Sequence, residues 1–565
     1  MKKVISLLLI LIFIFIGSSC NKDETPLENE KEPTVVITPT KEEVETAIPT
    51  PSLGDEETPT ITLEETEEVI YYQNPFEPLD YGLGYIDLDK EVYNLDDDIV
   101  VNIYNALNSD YVALYDIDKE PGNGLAYKKT KVSDKTSITY SISDLGLESG
   151  EYAMYLYQNK SMWVFDRVAF KVSDGDLNDY QISSATFTAS NENRIRTSSL
   201  TINTSNQKEL TYSIYWAKDG KRLTDYSYIA KKVIGNTDSF TIEFNQNMIM
   251  PNDANEIEVS ILEGNSSSYF LKVDDTLKLE QSRYLYNFQV LTDIHVNNDL
   301  TRYSFWNSHL YNALLDIKCL SGNTSGIFTV GDNTDMGSST HYDLMFDTIK
   351  KVFGNNVPNI YYTMGNHDYM YFSEEVGGME TAISYFIERT KMEKNYYSLD
   401  LNGNKVIVLA SEIKTTPGDI TEEQLDWLKK ELQSVDKDEF VFLYLHQPLY
   451  NTVAGTLSGE NNHGINNYGG KIVEVLKDYP NAVLFSGHTH YSMRGKNTAK
   501  FGNGLDANYV NNGAIAYLWS EIDSVGEVGG QCNFVEVYED YIIIKARDIL
   551  TKEWISSAQF VIYLY

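Results

Sequence analysis

The sequence predicts an α/β domain over residues 280–565, preceded by two all-β sandwiches over 76–175 and 176–279. Three observations carry that expectation. From about residue 284 onward, short apolar runs alternate with stretches whose apolar residues recur at helical spacing, the pattern of a sheet layered with helices. Between 76 and 279 the runs alternate apolar with polar side chains and are split by Asn, Asp, Gly and Ser, the pattern of half-buried strands. The length of 565 residues also exceeds one hydrophobic core, since a domain takes roughly 100–200 residues.

Residues 1–20 read as an export signal: Met1-Lys2-Lys3, an apolar run from Val4 to Ile16 interrupted by Ser6, then Gly17-Ser18-Ser19-Cys20. The run is shorter than the roughly 20 residues of a spanning helix, and it has a basic start and a small-residue end. The last four residues resemble a bacterial lipobox, although Gly17 stands where a Leu-like residue is usual. That resemblance implies lipidation of Cys20 and anchoring to the outer face of a bacterial membrane; the alternative is ordinary cleavage beside Cys20 and a secreted protein. Residues 21–75 are rich in Glu, Thr and Pro with no periodic apolar face, the composition of a disordered, self-repelling tether. As a flexible coil of about 50 residues it would hold the folded part roughly 40 Å off the membrane.

The formal net charge of −38 argues against a nucleic-acid polymer as partner, since Asp and Glu far outnumber Lys and Arg. It does not exclude a small phosphorylated substrate, because bound cations would dominate the field in a site. Cys319 and Cys532 are too few for a disulfide framework or a thiolate cluster and receive no catalytic role.

In the first predicted sandwich the strands are 99–104, 111–115, 152–157 and 164–172, and in the second 199–202, 211–216, 240–244 and 257–261, with a boundary near Gly175. Asp89 to Leu95 followed by a strand, with Gly150-Glu151-Tyr152 later, resembles immunoglobulin-like modules that precede exported phosphoesterases. The sandwiches show no aromatic or charged constellation above background. They are therefore expected to act as spacers, with a glycan or protein ligand as the alternative.

The later apolar runs 288–291, 327–330, 360–362, 406–409, 440–444 and 482–485 read as buried strands. Helical faces lie between them. Trp306, Leu310, Ala313, Leu314 and Ile317 form one, and Tyr342, Met345, Phe346, Ile349, Val352 and Phe353 another. Thr421-Glu422-Glu423-Gln424 has the form of a capping box before Leu425, Leu428 and Leu432.

Five of these strands run straight into polar clusters: Asp293-Ile294-His295, Gly331-Asp332-Asn333-Thr334-Asp335, Gly365-Asn366-His367-Asp368, His446, and Gly487-His488-Thr489-His490. In open α/β sheets, ligands bind at the carboxyl ends of strands, so the clusters should converge. Of eight histidines, His295, His367, His446, His488 and His490 fall within them. Carboxylate, imidazole and amide together suit borderline divalent ions such as Mn, Fe or Zn. The ligands are too many for one ion, and a pair about 3.5–4 Å apart sharing one carboxylate would use them all. Gly331, Gly365 and Gly487 permit the tight turns.

The order D-x-H, GDxxD, GNHD, H, GHxH resembles that of the calcineurin-like metallophosphoesterases over roughly residues 284–550. The resemblance implies a layered α-β-β-α fold. It further implies that Asp293, His295 and His490 bind one metal ion and Asn366, His446 and His488 the other, with Asp332 bridging. His367 is then similar to the family's proton donor to the leaving oxygen, oriented by Asp335. Two subfamilies fit less well: purple acid phosphatases carry a Tyr where Asp335 stands, and protein serine/threonine phosphatases carry Arg-Gly where Met336-Gly337 stands. The expected function is hydrolysis of phosphate monoesters or diesters at the cell surface by a dinuclear-metal-activated hydroxide. The alternative is a non-catalytic surface lipoprotein whose sandwiches bind a glycan or protein. The segment from Asn451 to Gly470 is expected to form a mobile rim over the substrate, with an ordinary surface loop as the alternative.

Overall fold

The computed structural model describes residues 84–158, 163–173, 181–206, 209–261, 268–299, 303–413, 415–460, 463–520 and 526–565. The signal at 1–20 with Cys20, the tether at 21–75 and the boundary at Gly175 lie outside the described residues.

Two six-stranded sheets form the C-terminal half. In the first, the order is Ile360–Thr363, Ile327–Val330, Tyr284–Leu291, Gln531–Tyr538, Tyr541–Asp548, Glu553–Tyr563, parallel among the first three and antiparallel thereafter. In the second, it is Tyr397–Leu401, Asn404–Val408, Val441–Tyr444, Ala482–Ser486, Asn508–Asn511, Ala499–Lys500, with the inner four parallel. Alternate side chains of each strand point between the sheets, so Phe288, Val290, Phe328 and Val330 meet Phe442, Tyr444, Val483 and Phe485 in one dry layer. The opposite faces are covered by helices. Ser304–Leu320, Ser339–Phe353 and Gly378–Thr390 lie over the first sheet, and Glu422–Gln433 and Gly469–Leu476 over the second. This is the expected α-β-β-α layering.

The helix at Glu422 starts as the sequence suggests, with the Thr421 hydroxyl accepting from the Gln424 amide at 3.2 Å. Only half of the box forms. The Gln424 side chain turns to Ala410, donating to its carbonyl at 2.9 Å and accepting from its amide at 3.0 Å, and so ties the helix to the end of a strand. Among the strands of four or more residues in this half, 397–401, 508–511, 531–538, 541–548 and 553–563 were not anticipated. The last three are buried on both faces and carry paired polar groups, such as Lys545 with Glu536 at 3.2 Å and Arg547 with Asp316 at 2.9 Å, which breaks their apolar pattern.

The N-terminal part is strand-rich, as expected. One pair of sheets, 85–88/98–104/137–141 and 92–94/163–173/150–158/111–116/128–131, encloses Ile99, Val101, Met154 and Leu156. A second pair around Ile195–Thr204 and Leu210–Lys218 encloses Leu200, Ile202, Ile214 and Trp216. Both sandwiches touch the C-terminal half. The Trp163 ring stacks on Tyr311 with centroids 4.2 Å apart, and Lys552 donates to the Phe165 carbonyl at 2.8 Å. From the second unit, buried Arg196 donates to the Tyr563 hydroxyl at 3.2 Å, and the Trp554 amide donates to the Asp225 carbonyl at 2.8 Å. Both are packed directly onto the C-terminal half.

Candidate metal centre

The parallel strands of both sheets end on the same side, so the five polar clusters meet above the inter-sheet core. Five of the seven expected ligands sit in left-handed backbone: Asp293 (φ 51°), His295 (47°), Asp332 (50°), His488 (67°) and His490 (55°). For side chains with a Cβ this costs about 1 kcal/mol or more each, so the surroundings must impose it. Cross-loop hydrogen bonds do so. The Asp293 amide donates to the Gly331 carbonyl at 3.1 Å, and the His295 amide to the Asp332 carbonyl at 2.9 Å. Buried Asp368, assigned no role from the sequence although it closes the GNHD motif, accepts from the amides of Gly365 (3.0 Å), Asn333 (3.2 Å) and Thr334 (3.1 Å). Gly331 is required twice over, by its φ of +83° and because a Cβ there would meet the His446 ring at 2.5 Å.

Three groups of ligand atoms result: Asp293 with His295 and His490, His295 with Asp332 and His367, and Asp332 with His446 and His488. Hydrogen bonding assigns the imidazole protons. His446 Nδ1 faces the Val330 carbonyl at 2.7 Å and His490 Nδ1 the Tyr517 carbonyl at 3.0 Å, so each donates there and its Nε2 is a bare lone pair when the ring is neutral. That outward-pinned arrangement is what metal-binding histidines use. His490 Nε2 lies 3.0 Å from Asp293 Oδ1 and 3.2 Å from His295 Nε2, and His446 Nε2 lies 3.1 Å from Asp332 Oδ2. Buried Asp293 Oδ1, His446 Nε2 and His488 Nε2 have no hydrogen-bond partner. Acceptors gathered this closely and left unpaired fit divalent cations. Asn366 is also buried, with its side-chain oxygen accepting from Gln447 Nε2 at 3.4 Å.

The electrostatics agree. Burial opposes ionisation of Asp293 and Asp332, but the surrounding imidazoles outweigh it and hold both carboxylates below their usual range. Burial likewise opposes a charged His446, yet Asp332 and Asp293 lift it to about 9, whereas burial together with His446 pushes His488 down to about 3. The carboxylates are thus compensated by protons that incoming cations would displace.

His367 is partly exposed, with 24% of its side chain accessible. Its amide donates to Asp332 Oδ1 at 2.7 Å, and its Nδ1 donates to the Asp335 carbonyl at 2.8 Å, with Asp335 Oδ1 at 3.3 Å. Asp335 is itself fixed by the Asn297 side-chain amide at 2.7 Å. Several neighbours had no sequence signal. Thr292 donates to Asp293 Oδ2 at 2.7 Å, Tyr517 stacks on His490 with centroids 4.1 Å apart, and the His463 ring lies 6.1 Å from that of His488. In the expected mobile rim, Thr452 to Thr456 are buried, and the Ala454 amide is bonded to the Asn497 carbonyl at 3.0 Å. Those five residues are packed, whereas 458–460 and 466–467 are exposed.

Residues 286–492 match the sequence profile of the family described as calcineurin-like phosphoesterase. A protein of Rhodococcus erythropolis named as a probable cyclic nucleotide phosphodiesterase is 28% identical over 228 residues, covering 38% of this chain and 67% of that protein. Another from Arcobacter nitrofigilis, named as a probable glycerophosphodiester phosphodiesterase GpdQ, is 33% identical over 143 residues, covering 25% of this chain and 47% of that protein. This chain thus spans about two thirds and about half of the lengths of these relatives. A purple acid phosphatase structure from yellow lupin seeds shows a partial likeness, with a TM-score of 0.36 and 12% identity over 85% of this chain and 96% of that one.

Proposed function

Because residues 286–492 form a calcineurin-like phosphoesterase domain, we propose that this chain hydrolyses small phosphate esters at a site holding two divalent transition-metal ions, Mn, Fe or Zn. The observation that carries this is the set of buried, unpartnered atoms at the strand ends, Asp293 Oδ1, His446 Nε2 and His488 Nε2. Asp293, His295 and His490 would hold one ion, Asn366, His446 and His488 the other, and Asp332 both. Such a pair supplies positive charge for the phosphoryl oxygens and a water acidic enough to attack phosphorus.

The chain's own residues supply the rest. His367, partly exposed and with Nδ1 fixed on the Asp335 carbonyl, has Nε2 left to give a proton to the departing oxygen. Asp335 favours the charged imidazole that makes this transfer available. The Val330 and Tyr517 carbonyls fix the rings of His446 and His490 before substrate arrives. Both relatives are named for phosphodiesters, which makes diesters the first class to assay. The export signal and Cys20 support placement at the outer face of a bacterial membrane, with the lipid as anchor. Cys20→Ser should move the protein from the membrane fraction to the medium or leave it uncleaved; unchanged fractionation with no lipid on the parent would rule the anchor out.

The decisive assay uses the chain lacking residues 1–20, with nitrophenyl phosphodiester and monoester substrates and Mn²⁺ or Zn²⁺. Turnover that disappears on chelation and returns with metal is expected. Absence of metal-dependent turnover on every ester tested would favour a non-catalytic surface protein that binds a glycan or protein through its sandwiches.

A further inference from the structure

We propose that the first β-sandwich is a working part of the metal centre: Glu120 and His309 are positioning residues that fix the Ile515–Trp519 segment, and this segment sets His490 and Asp293. The inference rests on the assignment of Asp293, His295 and His490 as one metal site.

Glu120 lies beyond the strand Tyr111–Asp116 of the first sandwich, and His309 on the helix Ser304–Leu320 of the catalytic half. Each is 1% exposed. Glu120 Oε2 stands 2.7 Å from His309 Nε2, and Glu120 Oε1 accepts from the Gly529 amide at 3.1 Å. On the other side of the ring, Nδ1 faces only carbonyl oxygens, those of Ile515 at 3.1 Å and Ala516 at 2.9 Å. A nitrogen among carbonyls must donate, and a nitrogen against a carboxylate donates as well. Both ring nitrogens therefore carry protons, and His309 is an imidazolium paired with the Glu120 carboxylate.

The carbonyls it grips belong to a segment that also bonds to the metal centre. The Ile515 amide donates to the Thr292 carbonyl at 3.0 Å and the Ala516 amide to the Asp293 carbonyl at 3.0 Å. The Tyr517 carbonyl accepts from His490 Nδ1 at 3.0 Å, the Tyr517 ring stacks on His490, and the Trp519 amide donates to the His490 carbonyl at 2.9 Å. The segment thus touches two residues of one metal site on one side and hangs from His309 on the other. The His446 ring of the second site is instead set by Val330. The bridge should matter to one half of the centre and not to the other.

Isothermal titration of the full mature chain with Mn²⁺ tests this, comparing the parent with Glu120→Gln and Glu120→Ala, and with His490→Ala to identify which binding step belongs to the affected site. Thermal unfolding checks that each variant is folded. Loss of an outer partner of a metal ligand typically weakens binding by about 10–100-fold, so Glu120→Ala should weaken the step that His490→Ala abolishes by that factor and leave the other step unchanged. Glu120→Gln should fall between, because its amide oxygen still accepts from one neighbour; it carries the same test should the alanine variant not fold. Folded variants with both steps unchanged, or both weakened alike, would overturn the bridge and leave only a docking contact. A parent chain that binds no metal would overturn the metal-centre assignment itself, and this inference with it.

Discussion

Replacing Gly365 by Ala asks one methyl group to enter space that the Asp332 loop already fills. The φ of Gly365 is outside the left-handed region, so its backbone accepts alanine, and the effect is steric. A Cβ there falls within 3.0 Å of both the amide nitrogen and Oδ1 of Asp332, while ordinary contact begins at 3.4 Å. Asp332 must therefore retreat by about 1 Å, a displacement that costs roughly 10²-fold when it affects the group holding the reacting parts in register. Overpacking of this kind also costs about 1–3 kcal/mol of stability. The assay is kcat/KM on a nitrophenyl phosphodiester together with metal content per chain and the unfolding midpoint. Expected are a fall of about 10²-fold and metal content below two per chain in a protein that remains folded. Gly235→Ala is the matched control, since a Cβ there meets nothing within 4 Å and the position lies outside the catalytic half. Full metal content with activity within about 3-fold of the parent would refute the packing argument.

His367→Ala should keep both metals and lose roughly 10²–10⁴-fold on an alkyl phosphate ester but far less on a nitrophenyl ester, whose leaving group needs no proton. Asp335→Asn should give a weaker version, and equal losses on both esters would mean that His367 binds phosphate instead. Asp332→Asn removes the one carboxylate expected to face both ions, so elemental analysis should find one metal or none; two tightly bound metals would reject the bridging assignment. Burial opposes a charged His309, but Glu120 and two carbonyls outweigh it and raise its pKa above the ordinary value. Its stabilising contribution is therefore complete below about pH 6.5, the unfolded value, and is lost as pH rises through the raised folded value. The unfolding midpoint should decline across that window, and Glu120→Gln should flatten the decline; parallel curves for parent and variant would contradict it.

The strand ends of the catalytic half were legible because a buried parallel strand is a short unbroken apolar run, and a Gly followed by Asp, Asn or His marks where it stops. Ile327–Val330 into Gly331-Asp332 and Ala482–Ser486 into Gly487-His488 are local signals that need no knowledge of the partner strand. The three C-terminal antiparallel strands escaped for the opposite reason. Glu536, Lys545 and Arg547 are tolerated inside only because they pair across strands or with a helix, and such pairing leaves no trace in the order of residues.

By itself the sequence determined which side chains could be ligands, which strands deliver them, and that carboxylate, imidazole and amide would gather at one end of a sheet. Tertiary structure alone decided how those ligands are held. Five of them depend on left-handed backbone that only neighbouring loops can impose. The ring of His490 is set by Tyr517, whose segment is gripped through His309 by Glu120, a residue of the first sandwich that no periodicity or motif distinguishes. Ligand chemistry is a property of residue type and local spacing, whereas orientation comes from hydrogen bonds between distant segments, and those exist only once the chain has folded.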